Sequence, residues 1–310
     1  MYRDYDLHLS SSRVAFKHHP HSKNQCISLR DIHTGDILET IEDSYSMGPR
    51  LSPDGAQLLY FGNGRLYVHP LNNGESDTVI ELPEQHAGFC EWSPDGRFLV
   101  FSSHYDKPTI QRIPPNIYRF DFADDGIIQL TDDIAVVDRF PQWSTTGAKI
   151  AFHRTYIDAE SNYAGTILMD RDGTGIQSLP RKEGYSQRIG RYGWSPDDTH
   201  IALPEYQEDD ERLIVVRVAD NAVVWSREDG GIDGGGFDPY TGRLLCVARD
   251  TLRLYEWPSE DPCAELSLAE HTPVQTTLCG PCISFDPNGE AVYFLGTDSR
   301  LYRWMIGAGC

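Results

Sequence analysis

Histidine supplies the most chemistry in this sequence. His18, His19 and His21 crowd the stretch KHHPHS, and His86, His104, His153 and His271 follow singly. Neutral imidazoles ligate divalent metals and move protons near neutral pH. Near them stand Tyr105, Asp138, Arg139, Arg154, Tyr156, Arg188 and Arg191. Tyrosine and arginine anchor protein or peptide partners, and arginine also holds anionic ligands through charge-assisted hydrogen bonds. Cysteines offer a second chemistry in Cys279-Gly280-Pro281-Cys282. That spacing serves redox exchange when the first thiol opens a helix, or zinc when joined by a further ligand such as Cys263. No helix follows it here, which favours a structural strand. A third motif, Asp170-Arg171-Asp172-Gly173-Thr174-Gly175, has the look of a calcium loop. It lacks the terminal bidentate Glu and reads better as a strand-to-strand turn. No Gly-x-Ser-x-Gly, phosphate loop, His-Glu-x-x-His or nucleotide-binding glycine pattern occurs.

The elements that must position these residues are short strands. In CEWSPDGRFLVFSS (90–103) an aromatic residue precedes Ser-Pro-Asp-Gly and an apolar run. Pro94 presets the first corner of a turn, Asp95 bonds neighbouring backbone and Gly96 supplies positive φ. The run after it is apolar on both alternation faces, as in a strand covered on both sides. Similar turns follow Leu51, Trp143, Trp194, Phe237 and Phe285, with a degenerate one after Leu9, so the anchors are spaced by 42, 41, 51, 51, 43 and 48 residues. Two further strand-like segments lie between anchors. Four strands per repeat with a period in the forties predict an all-β, seven-bladed β-propeller of four-stranded antiparallel blades. Too little chain remains for the final blade. A three-stranded last blade, or one patched by the first residues, is expected.

The span LTDDIAVVDRFPQWSTTGAKIAF (130–152) resembles the repeat of TolB-like propellers, relatives in architecture of the WD-repeat proteins. Asp138, Pro141 and Trp143 match its Asp-x-x-Pro-x-Trp pattern, and WSPDG at 92–96 and WSPDD at 194–198 match its turn. The resemblance implies fold more than function.

With the blade map in place, the loops opposite the Ser-Pro-Asp-Gly turns receive two insertions, 102–115 and 153–164. They also receive His18, His19, His21, His86, His104, His153 and His271. Insertions that build no core cost ordering entropy, which marks this face as the working surface. The reading that follows is a non-catalytic binding or scaffold propeller. It would engage a protein, a peptide or a small anionic ligand through His86, His104, Tyr105, Asp138, Arg139, His153, Arg154, Tyr156, Arg188 and Arg191. The alternative is an enzyme: propellers resembling oligogalacturonate lyases gather histidines around a metal on such a face.

With 27 basic against 47 acidic residues the formal charge is −20 and the pI about 4.8, which argues against a nucleic-acid partner. No apolar run approaches the length of a membrane span. The start MYRDYDLHLS lacks the apolar core of an export signal, unlike periplasmic TolB-like proteins, and the expected compartment is the cytoplasm. The expectation is one domain over 1–310, a monomer, with no cofactor and no metal ligand set. The seven cysteines lack the close spacings of a disulfide framework, and several read as small buried hydrophobes.

Overall fold

A computed structural model describes residues 5–8, 12–18, 25–43, 47–62, 65–71, 77–81, 87–103, 114–156, 165–187, 193–208, 210–228, 231–248, 251–268, 274, 276–277, 280–281, 283–296, 300–307 and 310. The chain is all-β, a seven-bladed β-propeller, and divides into two compact units, 1–143 and 144–310.

In the first unit, β1 (Tyr5–His8), β2 (Arg13–His18), β3 (Gln25–Asp31) and β4 (Ile37–Asp43) form the first sheet in sequential order. β5 (Met47–Leu51), β6 (Gln57–Gly62), β7 (Arg65–Pro70) and β8 (Thr78–Ile80) form the second. β9 (Ala87–Trp92), β10 (Phe98–Ser103), β11 (Ile117–Asp121) and β12 (Gly126–Gln129) form the third. The unit ends with β13 (Val136–Trp143), the first strand of the fourth sheet.

The second unit continues that sheet with β14 (Lys149–Tyr156), β15 (Gly165–Asp170) and β16 (Gln177–Ser178). The fifth sheet is β17 (Ser186–Gln187), β18 (His200–Gln207), β19 (Asp210–Arg217) and β20 (Ala222–Arg227). The sixth is β21 (Ile232–Phe237), β22 (Leu244–Ala248), β23 (Thr251–Tyr255) and β24 (Ala264–Ser267). A short pair, β25 (Thr276–Thr277) with β26 (Gly280–Pro281), precedes the last sheet. That sheet is β27 (Ile283–Phe285), β28 (Ala291–Leu295) and β29 (Leu301–Met305), three-stranded among the described residues, as the length of the chain predicts. β1 pairs with β2 in the first sheet, and residues 1–4, the other candidates for patching the last sheet, lie outside the described residues.

The repeated turn works as its residues require. Ser93 Oγ donates to Asp95 Oδ1 at 2.5 Å and accepts the Phe98 N–H at 2.8 Å. Gly96 N–H reaches the Ser93 carbonyl at 2.9 Å with φ at +70°. A hydroxyl and a carboxylate thus satisfy the backbone of a turn that only a residue tolerant of positive φ can close. The same bonds recur at Ser52 and Asp54 and at Ser195 and Asp197. The loop at 170–175 is a turn too, because Lys149 Nζ sits 2.7 Å from Asp170 Oδ1 and neutralises the carboxylate a calcium ion would need.

The fifth sheet is apolar on both faces. Leu213 and Val215 join Phe237, Leu244 and Tyr255 of the next sheet, while Ile214 and Val216 join Ala151, Leu168 and Trp194 on the other side. Strand alternation sends successive residues to opposite neighbours, so burying both faces needs a sheet on each side. Trp92 and Trp194 lie inside such clusters, as their anchor positions predict.

Candidate functional site at the loop-side strand ends

The strand ends opposite the anchor turns carry the candidate residues. In the first unit, Asp138 is fully enclosed on β13, and its N–H donates to the Pro115 carbonyl at 2.9 Å. Arg139 follows it, with Nε enclosed and no hydrogen-bond partner for that atom among the described residues. The stem of the first insertion is pinned by buried polar bonds. Asn116 N–H donates to Ser103 Oγ at 3.0 Å, and Ile117 N–H to Thr131 Oγ1 at 3.0 Å.

In the second unit, β14 carries His153, Arg154 and Tyr156 at its end opposite the anchor turn. His153 is buried, opposite Thr166 in register, whereas Tyr156 is exposed. The Arg154 guanidinium lies 5.4 Å from the Phe152 ring centroid. His86, His104, Tyr105, Arg188 and Arg191 lie outside the described residues, as do His19, His21, His271 and the side chain of His18.

Sequence reasoning missed a polar cluster joining the fourth and fifth sheets. Gln187, fully buried, accepts the Thr166 N–H at 3.1 Å through Oε1 and donates through Nε2 to Pro180 O at 2.6 Å and Glu205 Oε1 at 2.9 Å. Glu205 also accepts the Lys182 N–H at 3.2 Å and Arg212 Nε at 2.7 Å. Arg212 reaches on to Glu228 at 3.1 Å. Burial alone would lower the Arg212 pKa, but its bonds to Glu205 and Glu228 raise it. The Tyr185 hydroxyl donates to Asp210 and accepts from Lys182 Nζ at 2.9 Å, and that bond raises the lysine pKa. One signal was legible: Glu205 interrupts an otherwise apolar strand, IALPEYQ, where a charge needs a buried partner.

Within the second unit these strand ends offer an imidazole in His153, a carboxylate in Glu205 and cations in Arg154, Lys182 and Arg212, a set suited to proton transfer beside an anionic ligand. They do not offer a metal ligand set among the described residues. His153 is the one histidine whose side chain is described at this end, since His33, His69 and His200 lie at the turn ends of their strands. The one cluster of three metal-capable side chains described is Glu256, Cys263 and Cys310, also at the turn end. Its two sulfurs are joined in a disulfide, contrary to the expectation from cysteine spacing; the fold brings together thiols that lie 47 residues apart. Cys279 and Cys282 lie outside the described residues, around the short pair β25–β26. Cys26, Cys90 and Cys246 are buried thiols, as expected.

No family model matches the sequence. The chain is 27% identical over 169 residues to the uncharacterized protein Atu1656 of Agrobacterium fabrum, a match covering 50% of this chain and 53% of that one. The chain thus spans about half the length of the curated relative it matches. Among solved structures it is similar to an oligogalacturonate lyase in complex with manganese, with TM-score 0.70, 16% identity and coverage of 96% of this chain and 87% of that one. An oligogalacturonate lyase from Vibrio parahaemolyticus gives TM-score 0.66 at 14% identity, covering 95% and 86%. Kuenenia stuttgartiensis hydrazine synthase gives 0.65 at 12%, covering 96% and 93%. All three are enzymes, two of them lyases, and this overturns the expectation of a non-catalytic scaffold. Repeats and anchors do not separate a binding propeller from a catalytic one. The likeness itself establishes the fold, a seven-bladed β-propeller.

Proposed function

We propose that this protein is a lyase-like enzyme acting on a carboxylate-bearing oligosaccharide at the loop-side strand ends. The observation that carries the reading is the similarity to oligogalacturonate lyases along 96% of the chain. The imidazole and cations at the ends of β14 and β19 agree with it. Elimination from a uronate needs a cation beside the carboxylate and a base for the proton on the adjacent carbon. The electrons of that C–H bond form the new double bond as the glycosidic C–O bond breaks, and the leaving oxygen takes up a proton. His153 is assigned to the proton, and Arg154, which alternation turns to the other face of the same strand, to a further carboxylate of the oligomer.

Incubation with oligogalacturonate, with added manganese and separately with a chelator, tests the reading. The expected result is growth of ultraviolet absorbance from an unsaturated uronate end, lost in His153→Ala. Absence of unsaturated product from oligogalacturonate and from a panel of other uronides, in both conditions, would overturn it.

The same reading keeps the repeats as TolB-like, the chain as a monomer without nucleic-acid or membrane partners, and its compartment as the cytoplasm. Among the described residues no helix is long and apolar enough to cross a membrane. The buried thiols of Cys26, Cys90 and Cys246 suit a reducing compartment.

A further inference from the structure

The chain after β29 runs back against the sixth sheet. Ile306 and Cys310 pack with Cys263, Ala264 and Leu266 on the cluster that contains Leu252, Leu254 and Trp304. Cys263 and Cys310 are joined there, with Cα atoms 5.1 Å apart. Beside them stands Glu256: its carboxylate and the two sulfurs each offer a ligand atom, all within 4.8 Å of one another. Arg243 Nε donates to Glu256 Oε1 at 3.1 Å, which holds the carboxylate in place and leaves its second oxygen for another partner.

We propose that Glu256, Cys263 and Cys310 form a zinc-class cation site in the reduced protein, so that a metal replaces the disulfide in fastening the tail to the sixth sheet. Two thiolates and a carboxylate are a donor set matched to a borderline-soft divalent ion. A tetrahedral zinc with ordinary bond lengths sets such donors roughly 3.6–3.8 Å apart. The three atoms already lie within 4.8 Å, so modest side-chain rotation suffices. Glu256 is exposed and both cysteines are half-buried, which gives an ion access. The fourth position is left to water.

The chemistry balances. A phosphine or dithiol reductant supplies two electrons, two protons complete the thiols, and cation binding then releases those protons as thiolates form. The fastening matters because the last sheet has three strands among the described residues, and the returning tail covers the apolar surface at its junction with the sixth. In a reducing compartment the disulfide is not maintained. A metal would then hold the same two cysteines together.

The test uses the full chain with Cys279→Ser and Cys282→Ser, which removes the other cysteine pair. After phosphine reduction it is titrated with cobalt(II) as a spectroscopic stand-in for zinc. The expected result is one cobalt per chain with a thiolate-to-cobalt charge-transfer band, displaced by zinc and absent from the oxidised protein. Cys310→Ser, checked for a native circular dichroism spectrum, should lose the band, and Glu256→Gln should bind at least about tenfold more weakly. No band in the reduced protein, a band that survives Cys310→Ser, or unchanged affinity in Glu256→Gln would each overturn the three-ligand site.

Discussion

The Glu205 carboxylate, wholly enclosed in the fifth sheet, is held by the Arg212 guanidinium at 2.5 Å. An enclosed charge with an ion partner is stable only as a pair, because each group has given up its water. Gln187 and Lys182 add hydrogen bonds to the same carboxylate, which spread its charge.

Removing one member therefore exposes the cost of the other. Arg212→Met is expected to destabilise the protein by about 3–5 kcal/mol. Adding Glu205→Gln should recover part of that loss, since the amide oxygen can still accept from Gln187 and Lys182. Urea unfolding of the single and double variants measures both, and equal stability of the two would contradict the buried-pair account.

His69 joins the first and second sheets: Nδ1 lies 2.6 Å from Asp77 Oδ1 and Nε2 2.7 Å from Glu39 Oε1. Burial alone would lower its pKa, but the bonds and charges of Asp77 and Glu39 raise it. A raised folded-state pKa means stability fully present below the unfolded value of about 6.5 and lost as pH climbs through the folded value. His69→Leu should thus cost more stability at about pH 5.5 than at about pH 8.5. Denaturant midpoints at the two pH values decide it; a penalty that grows with pH would reverse the sign.

Trp194 is buried between the fourth and fifth sheets. Its truncation to Ala is expected to cost about 3–5 kcal/mol through lost burial and the cavity left behind. A loss under about 1 kcal/mol in calorimetry or urea unfolding would show that the anchor is dispensable to the core.

In the proposed reaction Arg154 holds a carboxylate of the substrate oligomer. In steady-state kinetics on oligogalacturonate, Arg154→Ala should raise KM about tenfold to a hundredfold, as expected for losing a hydrogen bond to a charged group. An unchanged KM would remove Arg154 from the binding site.

Burial pushes the Cys90 thiol up to about 12, so its thiolate is scarce at neutral pH. Maleimide should leave Cys26, Cys90 and Cys246 unmodified in the native protein and label all three after unfolding. Peptide mapping reads the result, and fast native labelling of Cys90 would show that its cluster opens readily.

Turn and strand chemistry are local, and local chemistry was legible. Ser93, Asp95 and Gly96 satisfy one another within a few residues, so the recurring turn, the apolar strand after it and the count of seven blades could be read from the chain. The three strands described for the last sheet agree with the strand-like segments readable after Phe285. Tertiary structure alone decided what depends on partners far apart in sequence. Thr166, Gln187, Glu205 and Arg212 form one cluster because the fourth and fifth sheets stack, and no spacing within either repeat announces it. Asp138 reads as a loop-face contact, yet strand packing encloses it completely. Cys263 and Cys310 meet because the tail returns to the sixth sheet, and sequence separation does not reveal a distance set by packing.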